Sequence, residues 1–249
     1  MGDRLENMDE GWTEQDSTTF LRDAECFVPE RELLVESVCR LIPTGIESDL
    51  VVELCCGDGV LSEAILDNLE QVRVLALDAS DVMLEACRQR TERYKNRIRV
   101  GRFDLGSPDW RKFAQPPRAI VSTFAIHHLA DNAKRRLFRD MAGQLAPGGV
   151  LATADLIQPS SEASTRLAAW QWDEAVKERS IQLRGDLSGL ASFRAERWNH
   201  HALADPDPID QPAHLLDQLL WLSEAGLESV DVHWSKGGMS LFSGVRPSA

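Results

Sequence analysis

Strand and helix patterns alternate from residue 49 to residue 157, and that alternation constrains the fold more than any other feature of the chain. DLVVEL (49–54) is a continuous apolar run rich in β-branched residues, the mark of a strand buried on both faces. GVLSEAILDNL (59–69) follows with helical spacing. VRVLALD (72–78) predicts a second buried strand, and SDVMLEACRQRTERY (80–94) a second helix capped by Ser80 or Asp81. IRVGRFDLG (98–106), AIVSTFAIHHL (119–129) and VLATADLI (150–157) add three strands, with the helix AKRRLFRDMAGQL (133–145) and the turn APGG between the last two. Such a series builds a parallel sheet with helices on both faces.

The flanks differ. FVPERELLVESVCRLIP (27–43) predicts a helix opening after Pro29 and stopped by Pro43. The rhythm breaks from 158 to 211, a segment holding Trp170, Trp172 and Trp198 and closing in ADPDPIDQP (204–212). HLLDQLLWLSEAG (214–226) resumes as a helix ending at Gly226. VDVHW (230–234) and MSLFSGV (239–245), joined by a glycine turn, predict a terminal antiparallel hairpin. The expected fold class is α/β: a doubly wound, mostly parallel seven-stranded sheet with a reversed last strand.

Composition narrows the setting. The 249 residues carry a formal net charge of −13, with 43% hydrophobic and 27% charged residues. That balance is ordinary for a globular protein, and a field of that sign disfavours a nucleic-acid partner. The densest basic stretch, RQRTERYKNRIR (88–99), reads as a solvated helix end. The first twenty residues are polar and acidic, so no signal peptide and no membrane span is expected, and the expected location is cytoplasmic. Five cysteines, Cys26, Cys39, Cys55, Cys56 and Cys87, form no C-x-x-C and suit a reduced protein.

ELCCGDG (53–59) places two vicinal cysteines between a strand and a glycine turn. Gly57 and Gly59 let the backbone turn sharply and approach a ligand. Asp78 ends the second strand about twenty residues on, where a carboxylate accepts ribose hydroxyls. A dinucleotide and an adenine nucleoside both fit those features. Glu53 separates them, because an anion directly ahead of the turn repels a pyrophosphate and suits a ligand carrying ammonium and sulfonium groups.

With ELCCGDG, the acidic strand end in ALDAS (76–80), FDLG (103–106), STFAIHHL (122–129) and LAPGGVLATADLI (145–157), the chain resembles the class I S-adenosylmethionine-dependent methyltransferases over residues 49–157. The resemblance implies S-adenosyl-L-methionine as cofactor. It implies Glu53, Cys55, Gly57 and Gly59 around the methionine part, Asp78 on the ribose, Asp104 on the adenine amino group, and Ala79 and Leu105 flanking the ring. Ser122 and Thr123 would face the methionine or transfer site. Cys55 stands where that family usually has glycine, and the expectation is a backbone that avoids positive φ there.

Methyl transfer from a sulfonium needs positioning more than a covalent catalyst, and a base only where the accepting atom carries a proton. Candidate bases are His127, His128, His200, His201, His214 and His233; His127 and His128, after the fourth strand, are the expected catalytic residues, against the simpler reading that they bind neighbouring backbone. His200 and His201 with Asp205, Asp207 and Asp210 match no standard ligand spacing, so no metal is expected. The tryptophans of the insert either line an acceptor site or pack the insert onto the sheet, and Arg31 either reaches the cofactor carboxylate or is solvated.

The expected organisation is a helical lead-in over 1–45, a cofactor-binding core over 46–157, a helical lid over 158–211, and a helix and hairpin over 212–249. The expected reaction is methyl transfer to a small-molecule acceptor by in-line displacement. Three alternatives stay open: a tRNA-modifying enzyme of this fold, including the carboxy-S-adenosylmethionine synthase type; a catalytically silent cofactor-binding protein; and a nicotinamide dehydrogenase, disfavoured by Glu53 and the lack of Y-x-x-x-K.

Overall fold

Apolar runs that could not be solvated on either side form the middle of the sheet in a computed structural model that describes residues 12–28 and 30–248. β1 (Leu50–Leu54) and β5 (Val150–Leu156) are buried almost throughout, as the runs without polar alternation require. β2 (Arg73–Asp78), β3 (Ile98–Arg102) and β4 (Ala119–Thr123) pair in parallel with them, while β7 (Met239–Val245) runs antiparallel between β5 and β6 (Glu228–Lys236). The order is β3-β2-β1-β4-β5-β7-β6, seven strands with one reversed, as the sequence predicts.

Two apolar layers cover this sheet. On one face α2 (Arg31–Leu41), α3 (Val60–Asn68) and α4 (Asp81–Arg90) bury Leu34, Val38, Ile65, Leu66 and Leu84 against Val51, Val74 and Val121. On the other, α5 (Asp131–Gln144) and α8 (Leu215–Glu224) bury Leu137, Phe138, Met141 and Leu222 against Val52, Ile120 and Phe242. Each such side chain contributes about 1.5–3 kcal/mol when taken fully from water, so these two layers dominate stability.

A third cluster lies beyond the sheet's carboxyl edge. α6 (Glu162–Arg184) and α7 (Ser188–Ala195) build it with α1 (Glu14–Phe27), packing Trp172, Val176, Leu190 and Phe193 on Phe27 and Met239. α1 is an addition to the sequence reading: its polar composition hides a helix whose capping box joins Thr13 and Asp16. Pro29, read as the opening of the next helix, lies outside the described residues, as do the first eleven residues of the polar stretch. The segment 88–99 is largely exposed, as a solvated helix end requires, and several of its cations are also paired. Arg93 pairs with Glu63 and Asp67, and Arg97 donates to the carbonyls of Leu66, Leu69 and Glu70.

Candidate functional site

The strand order turns back between β1 and β4, and a crevice opens there at the carboxyl edge of a doubly wound sheet. Glu53, one residue from the end of β1, lies inside it at 1% exposure. Among the described residues, its one hydrogen-bonding side chain is Ser62 of α3, which donates to Oε2. Burial pushes the Glu53 carboxyl well above the usual carboxylate range; the Ser62 bond opposes the shift, while Cys87, Asp58 and Asp78 reinforce it.

The loop after β1 is shaped by three positive φ values: 55° at Cys55, 53° at Gly57 and 80° at Gly59. The expectation that Cys55 avoids this region is therefore corrected. The chain keeps the left-handed turn and places a β-carbon in it, because the cysteine side chain packs with the α5-side layer. Cys56 N–H donates to the Leu77 carbonyl at 2.9 Å, which ties the loop to β2. At Gly59 a β-carbon would stand 2.8 Å from Cys87 Sγ, so glycine is required there twice over. All five cysteines are free, and burial raises the thiols of Cys26, Cys39 and Cys55. Cys56, hydrogen-bonded to Cys87 and buried, is raised too. None of these four is a thiolate nucleophile.

Asp78 closes the other side of the loop. Its Oδ2 accepts Gly57 N–H and its Oδ1 accepts Ser80 N–H, both at 2.9 Å. Ser80 is the N-cap of α4, accepting Met83 N–H at 3.1 Å. Ala79 is exposed beside it, and Leu105 is half-buried after β3. Asp104 is exposed and accepts Gly106 N–H at 2.9 Å, which fixes the turn. Ser122, on β4, donates to the Leu54 carbonyl at 3.0 Å and so bridges the two strands that flank the crevice; Thr123 follows it, half-buried.

Two helices cover this edge. Glu14 of α1 accepts from Ser80 Oγ at 2.7 Å and Asp81 N–H at 2.9 Å, placing a carboxylate on the N-terminus of α4. Arg31 of α2 is neither solvated nor unpaired: it meets Asp58 of the glycine loop at 2.6 Å, with Arg90 on the other carboxylate oxygen at 3.0 Å. Trp12, Phe20 and Trp198 form an aromatic group above, with Phe20 stacked on Trp198 and Trp12 against His128. Trp172 instead belongs to the core, donating to the Phe27 carbonyl at 2.9 Å, and Trp170 is 59% exposed. Of the three tryptophans in the insert, Trp198 alone joins this group.

The histidines fall into two sets. His214 and His233 serve the scaffold, bonding the Gln158 carbonyl and Ser243 Oγ. His201 is buried against Gly238, and burial lowers it to about 4. His127, His128 and His200 converge on Asp210 at 3.4, 3.3 and 3.5 Å. Behind His127, Asp155 of β5 meets Nδ1 at 2.5 Å and takes the His127 N–H at 2.9 Å. Burial works to lower His127, but Asp155 and Asp210 overcome it and raise the group to about 9. His128 is lowered by burial and by the charge of His127. The partner of the His127 ring is a carboxylate, not the neighbouring backbone, while Nδ1 of His128 makes no hydrogen bond.

Asp210 reaches this cluster because the next residue is clamped. Gln211 N–H donates to the His127 carbonyl at 2.8 Å, and the buried Lys134 ammonium bonds the carbonyls of Gln211 and Leu129. Spacing within 200–210 gives no hint of it, since His127, His128 and Asp155 lie far away in sequence. Glu14, Trp12 and Phe20 were missed for a related reason: they sit in a polar stretch with no catalytic motif.

The chain resembles known proteins over most of its length. Residues 51–149 match a family model described as a methyltransferase domain. A trans-aconitate 2-methyltransferase of Acidovorax sp. (strain JS42) is 29% identical over 190 residues, 72% of this chain and 68% of that protein. One of Variovorax paradoxus (strain S110) is 31% identical over 179 residues, 66% of each. An O-methyltransferase family protein from Burkholderia thailandensis superposes with a TM-score of 0.64 at 16% identity, covering 94% of this chain and 60% of that one, a likeness of fold. This chain therefore spans about three fifths of the length of that solved structure.

Proposed function

As a member of the class I methyltransferase family, the chain has an activity to be assigned, and we propose that it is S-adenosyl-L-methionine-dependent methyl transfer to a small-molecule acceptor. The carrying observation is Glu53: a carboxyl group enclosed with Asp58 and Asp78 nearby and only a serine hydroxyl for a partner. A buried acid in that setting gains from a cation brought by a ligand, which is what an ammonium and sulfonium offer and a pyrophosphate does not.

The cofactor fits the residues present. Gly57 has no atom within 4 Å of where a β-carbon would stand, so the loop is open to a ligand. In this reading Glu53, Cys55, Gly57 and Gly59 hold the methionine part and Asp78 the ribose. Asp104 takes the adenine amino group between Ala79 and Leu105, and Ser122 stands at the strand pair beneath the transfer site. When bound, the cofactor supplies an activated methyl group for in-line displacement; the protein supplies orientation and exclusion of water. Trp12, Phe20 and Trp198 cover the acceptor side.

His127 and His128 are the proposed acceptor-side histidines, with unequal roles. His127 lies between two carboxylates, Asp155 and Asp210, so it positions the acceptor-side wall. His128 has its Nδ1 enclosed and turned to Asp210, which leaves Nε2 to orient the acceptor. A small molecule suits this surface better than nucleic acid, since Arg90 and Arg93 are spent on Asp58, Glu63 and Asp67. The relatives' substrate, trans-aconitate, makes a di- or tricarboxylic acid the first acceptor class to assay.

Calorimetric titration tests this reading. S-adenosyl-L-methionine should bind one site per chain and Glu53→Gln should weaken it, while NAD leaves no heat. Saturable NAD binding with no response to S-adenosyl-L-methionine would replace this reading with the dehydrogenase one. Cofactor binding with no turnover on any acid or other small acceptor would favour a silent binding protein.

A further inference from the structure

The His127–His128–Asp210 cluster has the geometry of a ligand set. One donor atom from each lies within 4.8 Å of the others, while His200 stands outside the set, on the opposite oxygen of Asp210. We propose that His127, His128 and Asp210 form a site for a divalent first-row transition ion of the zinc class, joining the insert to the ends of β4 and β5.

Three observations carry this. First, Nδ1 of His128 and Nδ1 of His200 are wholly enclosed, and neither makes a hydrogen bond, although each lies within about 3.5 Å of Asp210. A buried ring nitrogen without a partner is costly, and an ion on His128 Nδ1 removes that cost. Second, Asp155 takes the hydrogen of His127 Nδ1 at 2.5 Å, which turns the Nε2 lone pair toward Asp210. A carboxylate behind a histidine in this way fixes tautomer and aim, the usual outer shell of an imidazole ligand. Third, the set is two nitrogens and one carboxylate, a borderline donor set that selects zinc, cobalt or nickel over magnesium and calcium. The partial exposure of His128 (19%) and Asp210 (23%) leaves room for a water in the fourth position.

The ligands come from two parts of the chain. His127 and His128 follow β4, and Asp210 lies at the end of the insert, so one ion would fasten the insert across the acceptor side. With the ion on Nδ1, His128 Nε2 keeps its hydrogen and donates to the acceptor. The competing occupant is a proton on His127 shared with Asp210.

Cobalt(II) is the probe, because its visible ligand-field absorption reports a tetrahedral site of two nitrogens, one carboxylate and a water, and zinc, which is spectroscopically silent, displaces it. The chelator-stripped full chain is titrated with cobalt(II) and no cofactor, so the outcome is independent of methyl transfer. Expected are one tightly bound equivalent, displaced by zinc, its loss in Asp210→Asn, and about 10–100-fold weaker binding in Asp155→Asn. Circular dichroism checks that each variant folds. X-ray absorption of the cobalt-loaded wild type needs no variant and should show outer-shell scattering from two imidazoles. No ligand-field band in the wild type, equal affinity in folded Asp210→Asn, or a spectrum without imidazole scattering would each overturn the site and leave the proton as the occupant.

Discussion

Ser62 of α3 donates its hydroxyl hydrogen to Glu53 of β1, and both side chains are cut off from water. Among the described residues, that bond is the sole hydrogen-bonded support given to a carboxyl group that burial has pushed well above its usual range. The free protein therefore holds a proton on Glu53 above the pH at which an unfolded glutamate has lost it. Binding a cationic ligand beside the group favours the carboxylate, and the proton leaves.

Cofactor affinity should consequently rise with pH between the ordinary glutamate range and the raised value, by up to about tenfold per pH unit where one proton is released. The free protein shows the opposite slope. Its folded state binds more protons than the unfolded chain in that window, so its stability falls as pH increases there. Calorimetry in buffers of different ionisation enthalpy measures the proton directly. Proton release that persists undiminished in Glu53→Gln would assign it to another group.

Asp78 holds the amides of Gly57 and Ser80, one on each carboxylate oxygen. Asp78→Ala should weaken cofactor binding by roughly 1–3 kcal/mol, the value of hydrogen bonds to a charged acceptor, and should also loosen the glycine loop. Asp78→Asn separates the two effects, since its amide oxygen still accepts one loop N–H while the charge is gone. Unchanged affinity in both variants would place the ribose elsewhere.

Cys55 occupies a left-handed turn at φ 55° that glycine adopts freely. Cys55→Gly should be more stable than Cys55→Ala by about 0.5–1 kcal/mol, the left-handed penalty of a β-carbon less the extra entropy of an unfolded glycine. The Ala variant is the right reference because both changes remove the thiol. Denaturant unfolding that ranks Ala above Gly would mean the loop relaxes out of this conformation.

The Cys55 result shows where sequence reading stops. The mostly parallel seven-stranded sheet, the reversed β7 and the places of Glu53, Gly57, Gly59 and Asp78 at the strand ends and turn were legible, because buried parallel strands are continuous apolar runs and their glycine turns follow directly. The φ of a residue within that turn was not, since it is set by the tertiary bond from Cys56 to Leu77. The meeting of His127, His128 and His200 at Asp210 was illegible for the same kind of reason: it depends on Lys134 and Gln211 holding a distant loop in place. α1 escaped notice because its helix is stabilised by a capping box and by packing on the insert more than by an apolar stripe.

Glu14 is the bond between that helix and the cofactor-binding edge, reaching Ser80, Asp81 and Val82 at the start of α4. Glu14→Ala should cost α4 about 0.3–1 kcal/mol of N-terminal stabilisation and leave α1 without its anchor. Hydrogen exchange should then quicken across residues 14–27 while β1, β4 and β5 stay protected. Equal protection of α1 in variant and wild type would show that its packing on α6 and α7 suffices.

Gly238, in the turn of the terminal hairpin, has φ 76°, and a β-carbon there would stand 2.0 Å from His201 Nε2. Gly238→Ala must therefore meet two penalties, the left-handed backbone and the collision with a buried ring, together about 2–4 kcal/mol. The turn carries Gly237 beside Trp172 and closes β6 on β7, so the loss should register in global urea unfolding. Adding His201→Ala to the glycine variant removes the collision but not the backbone cost. The double-mutant cycle should show a coupling energy of about 1–3 kcal/mol, the collision share of the penalty. Strict additivity would mean that the His201 ring moves aside without cost, and that its contact with the hairpin does not hold the end of the insert in place.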